Sequence, residues 1–243
     1  MFTRIPKELQ TDKVYVLQTK YADVDGDGVL ETLTLTGKKP YGENGFIEDI
    51  TLTIKNKKAA ADIVVKPENN DGYSPTLFIG KFTEDKVPQV LLSIASGGSG
   101  GYYFNYLYSF KDNITKSLFD VDKFNEMSTY NAVYQDYYKV KITSEDGKLK
   151  GLIDLTAIRD NDYLSNLYNP NGTLKKPEVG GVLSLGALSP LSLNGADVFY
   201  LLTNQRIIGL YNSDTLGAIE SILQVTDNGF NIIVTRLVVL LNE

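Results

Sequence analysis

The 243-residue chain contains no histidine, no cysteine and no tryptophan. Without cysteine there are no thiol nucleophiles, disulfides, iron–sulfur clusters or thiolate zinc sites. Without histidine, imidazole general bases and most transition-metal sites are excluded as well. Oxygen is what remains: carboxylates, amides, hydroxyls and backbone carbonyls suit hard cations such as calcium, and carboxylate acid–base work. Positive charge is also scarce. Lys and Arg number 24 against 30 Asp and Glu, a net of −6 with no basic cluster, which argues against a nucleic-acid surface. Long apolar runs are missing too. The N-terminal MFTRIPKELQTDKVYV has no apolar stretch of signal-peptide length, and Leu237-Val238-Val239-Leu240-Leu241 is too short to cross a bilayer, so neither a visible export signal nor a transmembrane segment is expected.

The remaining composition, 42% hydrophobic and 22% charged, is that of a folded globular chain. No Pro/Ser-rich linker divides it, and one domain over 1–243 is expected. Strand signals dominate. Thr32–Thr36, Ile50–Ile54 and Tyr138–Ile142 alternate apolar and polar residues at period two between turn residues. Asp146-Gly147 and Asp227-Asn228-Gly229 read as hairpin turns. A short helix is expected within Asp160–Tyr168, stopped by Asn169-Pro170.

A weak internal period runs through these strands. Asp23–Glu31 can be laid on Lys81–Gln89 and on Ser192–Tyr200, each running into a strand. The first interval is close to half of the second, so an unmarked unit is expected near Tyr137. Units near 14–70, 71–125, 126–180 and 181–243 follow. The predicted fold is all-β, a propeller-like repeat of about four or five small antiparallel sheets, with a β-sandwich or irregular barrel as the alternative.

One segment carries site chemistry. Asp23, Asp25 and Asp27 stand at alternate positions of a loop, Gly28 supplies its sharp turn, the Val29 carbonyl can add a ligand, and Glu31 closes the shell. Four carboxylates in nine residues repel one another unless a cation sits among them. The pattern therefore predicts a calcium site of Asp23, Asp25, Asp27, Val29 and Glu31. It is not an EF-hand, because Thr34 stands where the bidentate Glu belongs and a β-alternating run follows. The aligned copies replace the ligand set with Lys81, Thr83, Asp85, Lys86 and Gln89, and with Ser192, Asn194, Ala196, Asp197 and Tyr200, and neither is expected to hold calcium well.

Asp23–Glu31 followed by Thr32–Gly37 resembles the calcium loop of FG-GAP/VCBS-type repeats, found in integrin-like β-propellers and bacterial surface proteins. Thr76–Ser96 with the glycines after it, and Gln205–Gly217 with Arg206, Tyr211-Asn212 and Asp214-Thr215-Leu216-Gly217, are similar to a VCBS-repeat-containing group of Bacillus and Clostridium relatives. The resemblance implies a calcium-bound repeat scaffold without specifying an activity.

Gly97-Gly98-Ser99-Gly100-Gly101 lacks the GK[ST] of a phosphate loop and reads as a tight crossing. Tyr102, Phe104, Tyr106, Tyr108 and Phe110 share one strand face, which core packing uses more often than sugar stacking does. Catalysis would fall to a carboxylate pair drawn from residues such as Asp120, Asp122, Asp160, Asp162 and Asp214. The function expected is a non-catalytic calcium-binding or scaffold module of the cell envelope, spore surface or extracellular space, with a glycan or protein ligand. The alternatives are a carbohydrate-active hydrolase using a carboxylate pair and a cytoplasmic address.

Overall fold

The computed structural model describes residues 12–239 apart from 57, 59, 60, 99, 194 and 196. Period-two alternation builds its sheets. In β2 (Glu31–Lys38) and β3 (Glu48–Lys55) the buried residues fall on every second position. Leu33 therefore stands opposite Ile54 and Leu35 opposite Leu52 inside, while Thr34 and Thr36 face Thr53 and Thr51 on the other side. With β1 (Val14–Ala22) and β4 (Ile63–Val65) they form a four-stranded sheet in chain order.

The second sheet repeats this meander with β5 (Tyr73–Gly80), β6 (Gln89–Ala95), β7 (Tyr103–Ser109) and β8 (Lys116–Ser117). The glycine-rich run joins β6 to β7, closed by Ser96 N–H donating to the Tyr102 carbonyl at 2.9 Å. The aromatic face of β7 turns into the core: Tyr108 and Phe110 are buried, and Phe104 and Tyr106 pack beside them.

The third sheet holds β9 (Tyr130–Gln135), β10 (Lys139–Ser144) and β11 (Lys150–Asp154). The Asp146-Gly147 turn closes its second hairpin, with Gly147 N–H on the Ser144 carbonyl at 2.9 Å. In the fourth sheet β12 (Gly181–Val182) and β13 (Ala187–Leu191) pair with β14 (Tyr200–Ile208), followed by β15 (Thr215–Thr226) and β16 (Gly229–Val238). The protein is all-β, built of several antiparallel sheets with two short helices, α1 (Val121–Met127) and α2 (Asn161–Leu167). Helix α2 lies within the expected Asp160–Tyr168, capped by Asp160, which accepts Tyr163 N–H at 2.8 Å, whereas α1 had no sequence signal. Among the described residues no helix is long and apolar enough to cross a membrane.

The described residues divide into two compact units, where sequence reading expected one domain. Unit 1 holds residues up to Asp120 with Pro190–Leu201 and Gln224–Asn231. Unit 2 holds Val121–Ser189, Leu202–Leu223 and the residues from Ile232 onward. Leu33, Leu52, Leu92 and Phe110 lie in the core of unit 1. The core of unit 2 joins Val140, Ile153, Leu164, Ile207 and Leu216.

The three aligned segments hold one place in their sheets. Residues 23–30 join β1 to β2, 81–88 join β5 to β6, and 192–199 join β13 to β14. In the third sheet that place, between β9 and β10, is a tight turn in which Tyr137 and Tyr138 adopt left-handed backbone (φ 62° and 63°). Phe82, wholly buried, packs its ring against Phe78 and Phe199 with centroids 5.9 Å away in each case. Phe82→Ala is expected to cost about 3–5 kcal/mol in urea unfolding, while Val16→Thr on the exposed edge shifts stability by less than about 0.5 kcal/mol. A cost for Phe82→Ala no larger than that control would contradict the packing.

Candidate metal centre

Left-handed backbone at Gly26 and Gly28 (φ 88° and 83°) coils the first loop tightly. Its carboxylates hold that coil by accepting backbone N–H groups further along. Asp23 accepts from Gly26 at 2.7 Å and Gly28 at 2.9 Å, Asp25 from Asp27 at 3.0 Å, and Asp27 from Val29 at 2.7 Å. One oxygen each of Asp23, Asp25 and Asp27 lies within 4.8 Å of the others. The Val29 N–H, with help from Lys58, holds the exposed Asp27 carboxyl below its usual range.

Glu31, the first residue of β2, is only 1% exposed. Its Oε2 accepts Val24 N–H at 2.9 Å, while Oε1 is buried with no hydrogen-bond partner among the described residues. Burial pushes this carboxyl above its ordinary range, and the charges of Asp25 and Asp23 push the same way against the N–H groups of Val24 and Asp25.

Three positioning groups come from elsewhere in unit 1, and sequence reading did not find them. Asn56 donates its side-chain amide to Asp25 and, at 3.4 Å, to Asn113. Asp112 N–H reaches the Asp25 carbonyl at 2.9 Å, and Lys58 Nζ lies 3.1 Å from an Asp27 carboxylate oxygen. They lie far along the chain from the loop, and no motif marks them.

The second loop has the same frame with other chemistry. Phe82 N–H donates to Gln89 Oε1 at 2.6 Å, as Val24 N–H does to Glu31. Asp85 N–H donates to Thr83 and Val87 N–H to Asp85, both at 3.3 Å, repeating the contacts of Asp25 and Asp27. The difference is the second atom of the ninth side chain. Gln89 Nε2 donates to Thr83 Oγ1 at 3.2 Å and to the Val87 carbonyl at 2.7 Å. Its counterpart in the first loop is the unpartnered Glu31 oxygen. In the third loop Asn194 and Ala196 lie outside the described residues, and Phe199 N–H donates to the Lys81 carbonyl at 2.6 Å.

The carboxylates considered for catalysis are dispersed. Asp160 caps α2, Asp162 lies in its first turn and Asp122 in that of α1, while Asp120 ends a segment of unit 1. Asp214 is buried against Arg159 at 2.5 Å.

The fold and this loop define an all-β protein with an acidic hairpin loop whose carboxylates converge. The YybI C-terminal domain family matches residues 128–238, which span β9 to β16. Over 214 residues the chain is 33% identical to the "Uncharacterized protein YybI" of Bacillus subtilis (strain 168), covering 88% of this chain and 80% of that protein. The chain belongs to the YybI family. No solved structure matches it.

Exchanging the ninth side chains tests the comparison of the two loops. In chelator, Glu31→Gln is expected to raise the melting temperature, because an amide donor replaces a buried, unpartnered oxygen. Gln89→Glu is expected to cost about 1–3 kcal/mol by removing two donations. Destabilisation by Glu31→Gln in chelator would count against the reading.

Proposed function

We propose that this protein is a non-catalytic binding or scaffold module that folds around one calcium ion held by Asp23, Asp25, Asp27, the Val29 carbonyl and Glu31. One observation carries the proposal: two loops of the same frame differ in what stands at the ninth position. Gln89 supplies two donated hydrogen bonds to its loop, whereas Glu31 brings a further negative oxygen to a loop that already has three carboxylates. A buried charge without a partner is costly, and a hard cation with oxygen ligands relieves that cost.

The finer architecture belongs to the same proposal. Propeller-like repetition of the VCBS/FG-GAP kind is supported by the shared place of the three loops, and by contacts between successive loops in unit 1. A Cβ on Gly26 would lie 2.7 Å from Val87, and the Lys81 carbonyl accepts Phe199 N–H. A calcium-rich exterior, the cell envelope, spore surface or extracellular space, is the address that would keep such a loop filled.

For a Kd of about 10 μM in about 1 mM calcium, binding stabilises the fold by roughly 2.7 kcal/mol. The melting temperature is expected to fall in chelator and to recover with calcium, and the response to vanish in the double variant Asp25→Ala, Asp27→Ala. A wild-type melting temperature indifferent to chelator and calcium would refute the proposal.

A further inference from the structure

Unit 2 contains a cleft of about 560 Å³, within the ordinary range for small-molecule sites. It is lined by Tyr138, Arg159, Asn161, Ser165, Tyr168 and Lys175, among others, and no carboxylate lines it. Both charged residues on its wall are therefore cations.

The arginine is fixed before any ligand arrives. Its guanidinium donates to Asp214 at 2.5 Å, to the Thr215 carbonyl at 2.7 Å and to the Ile158 carbonyl at 2.8 Å, and lies 5.2 Å from the centre of the Tyr163 ring. Asp214 is held in turn by the Tyr163 hydroxyl at 2.8 Å and Leu210 N–H at 2.9 Å. Rigid support of this kind is what a binding group requires. Lys175 is exposed, steadied by one donation to the Ser165 carbonyl at 2.7 Å.

The aromatic wall is held against the preference of its backbone. Tyr138 sits in the left-handed region, where bulky residues are uncommon and which recurs at functional sites. The turn places its ring 4.8 Å from that of Tyr168, which is anchored by its hydroxyl on the Gln135 carbonyl at 3.1 Å. Tyr138 is only half-buried, so its ring remains open to a ligand. Exposed Asn161, Asn169 and Thr156 complete the wall with amide and hydroxyl groups.

We propose that this cleft binds a sugar unit bearing a carboxylate, with the ring on Tyr138, the carboxylate at Lys175 and Arg159, and the hydroxyls on Asn161 and Asn169. An aromatic face beside amides suits a polyhydroxylated ring, and Lys175, joined to no carboxylate among the described ion pairs, selects the acidic one, with Arg159, whose charge Asp214 already pairs, offering N–H donors. The cleft belongs to unit 2 and the acidic loop to unit 1, so this inference does not rest on calcium.

Titration calorimetry of the full chain with trigalacturonate, run with calcium and again with chelator, tests it. Binding with Kd of about 0.1–1 mM is expected in both conditions. Lys175→Glu should weaken it about ten-fold or more and Asn161→Ala by a few-fold, with circular dichroism spectra unchanged because both residues are exposed. Equal affinity for a neutral galactose trisaccharide would overturn the carboxylate assignment, and equal affinity for acetate would overturn the sugar. Absence of binding in both conditions, or an affinity untouched by Lys175→Glu, would overturn the site. Loss of binding in chelator alone would overturn its independence from the loop. Arg159 is left intact, because its removal strands a buried Asp214.

Discussion

A side chain at the start of the second strand must hold the backbone N–H of the loop's second residue, and whatever its other terminal atom does decides what the loop needs. Glu31 and Gln89 both meet the first demand, on Val24 and Phe82. They part on the second. The amide nitrogen of Gln89 donates to Thr83 and the Val87 carbonyl, and that loop is complete with protein atoms. The matching oxygen of Glu31 accepts and cannot donate when ionised, so the first loop gathers negative charge that Lys58, itself largely exposed, offsets only weakly.

The second residue of each loop explains why this frame is shared. Val24 and Phe82 are wholly buried, so each loop is pinned into the core of unit 1 by one side chain and one N–H. Between the pins the chain is free to coil. Asp23, Asp25 and Asp27 make that coil from their own backbone contacts, while Asn56 and the Asp112 N–H fasten Asp25 from outside. Order at the acidic loop is thus coupled to the strand ends that carry Asn56 and Asp112. A cation there would act on the first and second sheets.

How far the sequence disclosed this depends on the range of the interaction. Alternation in Thr32–Thr36 and Ile50–Ile54 is local and marked the middles of β2 and β3, as the spacing of Tyr163, Leu164, Leu167 and Tyr168 with the Asn169-Pro170 stop marked α2. Loop positions in Asp23–Glu31 are also local, and the convergence of the three aspartates followed their spacing. Helix α1, as short as α2, escaped because no Asn-Pro stop follows it. The turn at Tyr137 and Tyr138 escaped because bulky residues rarely take left-handed backbone, and Asn-Gly is the usual signal there. Asn56, Lys58 and the pairing of Arg159 with Asp214 are tertiary facts that no spacing encodes. The likeness between Glu31 and Gln89 was visible as an alignment, but the opposite polarity of their second atoms became meaningful only with their neighbours in place.

The molecule offers its own standard for the buried carboxylate of Glu31. Asp214, also buried, is met by the Arg159 guanidinium, the Tyr163 hydroxyl and the Leu210 N–H, so both of its oxygens are satisfied and its charge is paired. Glu31 is less exposed still, with Val24 N–H on one oxygen and the other without a hydrogen-bond partner among the described residues, although the Asp25 N–H also favours its charge. No lysine or arginine is joined to it among the described ion pairs, and the like charges of Asp25 and Asp23 act on it. A chain that neutralises one buried carboxylate so fully has the side-chain repertoire to neutralise another. That the second is left with an unpaired oxygen beside two further carboxylates is difficult to reconcile with a role confined to capping a turn, for which Gln89 serves in the sister loop. The arrangement is reconciled if the positive charge comes from solution, and with neither histidine nor cysteine in the chain the ligands on offer suit a hard cation.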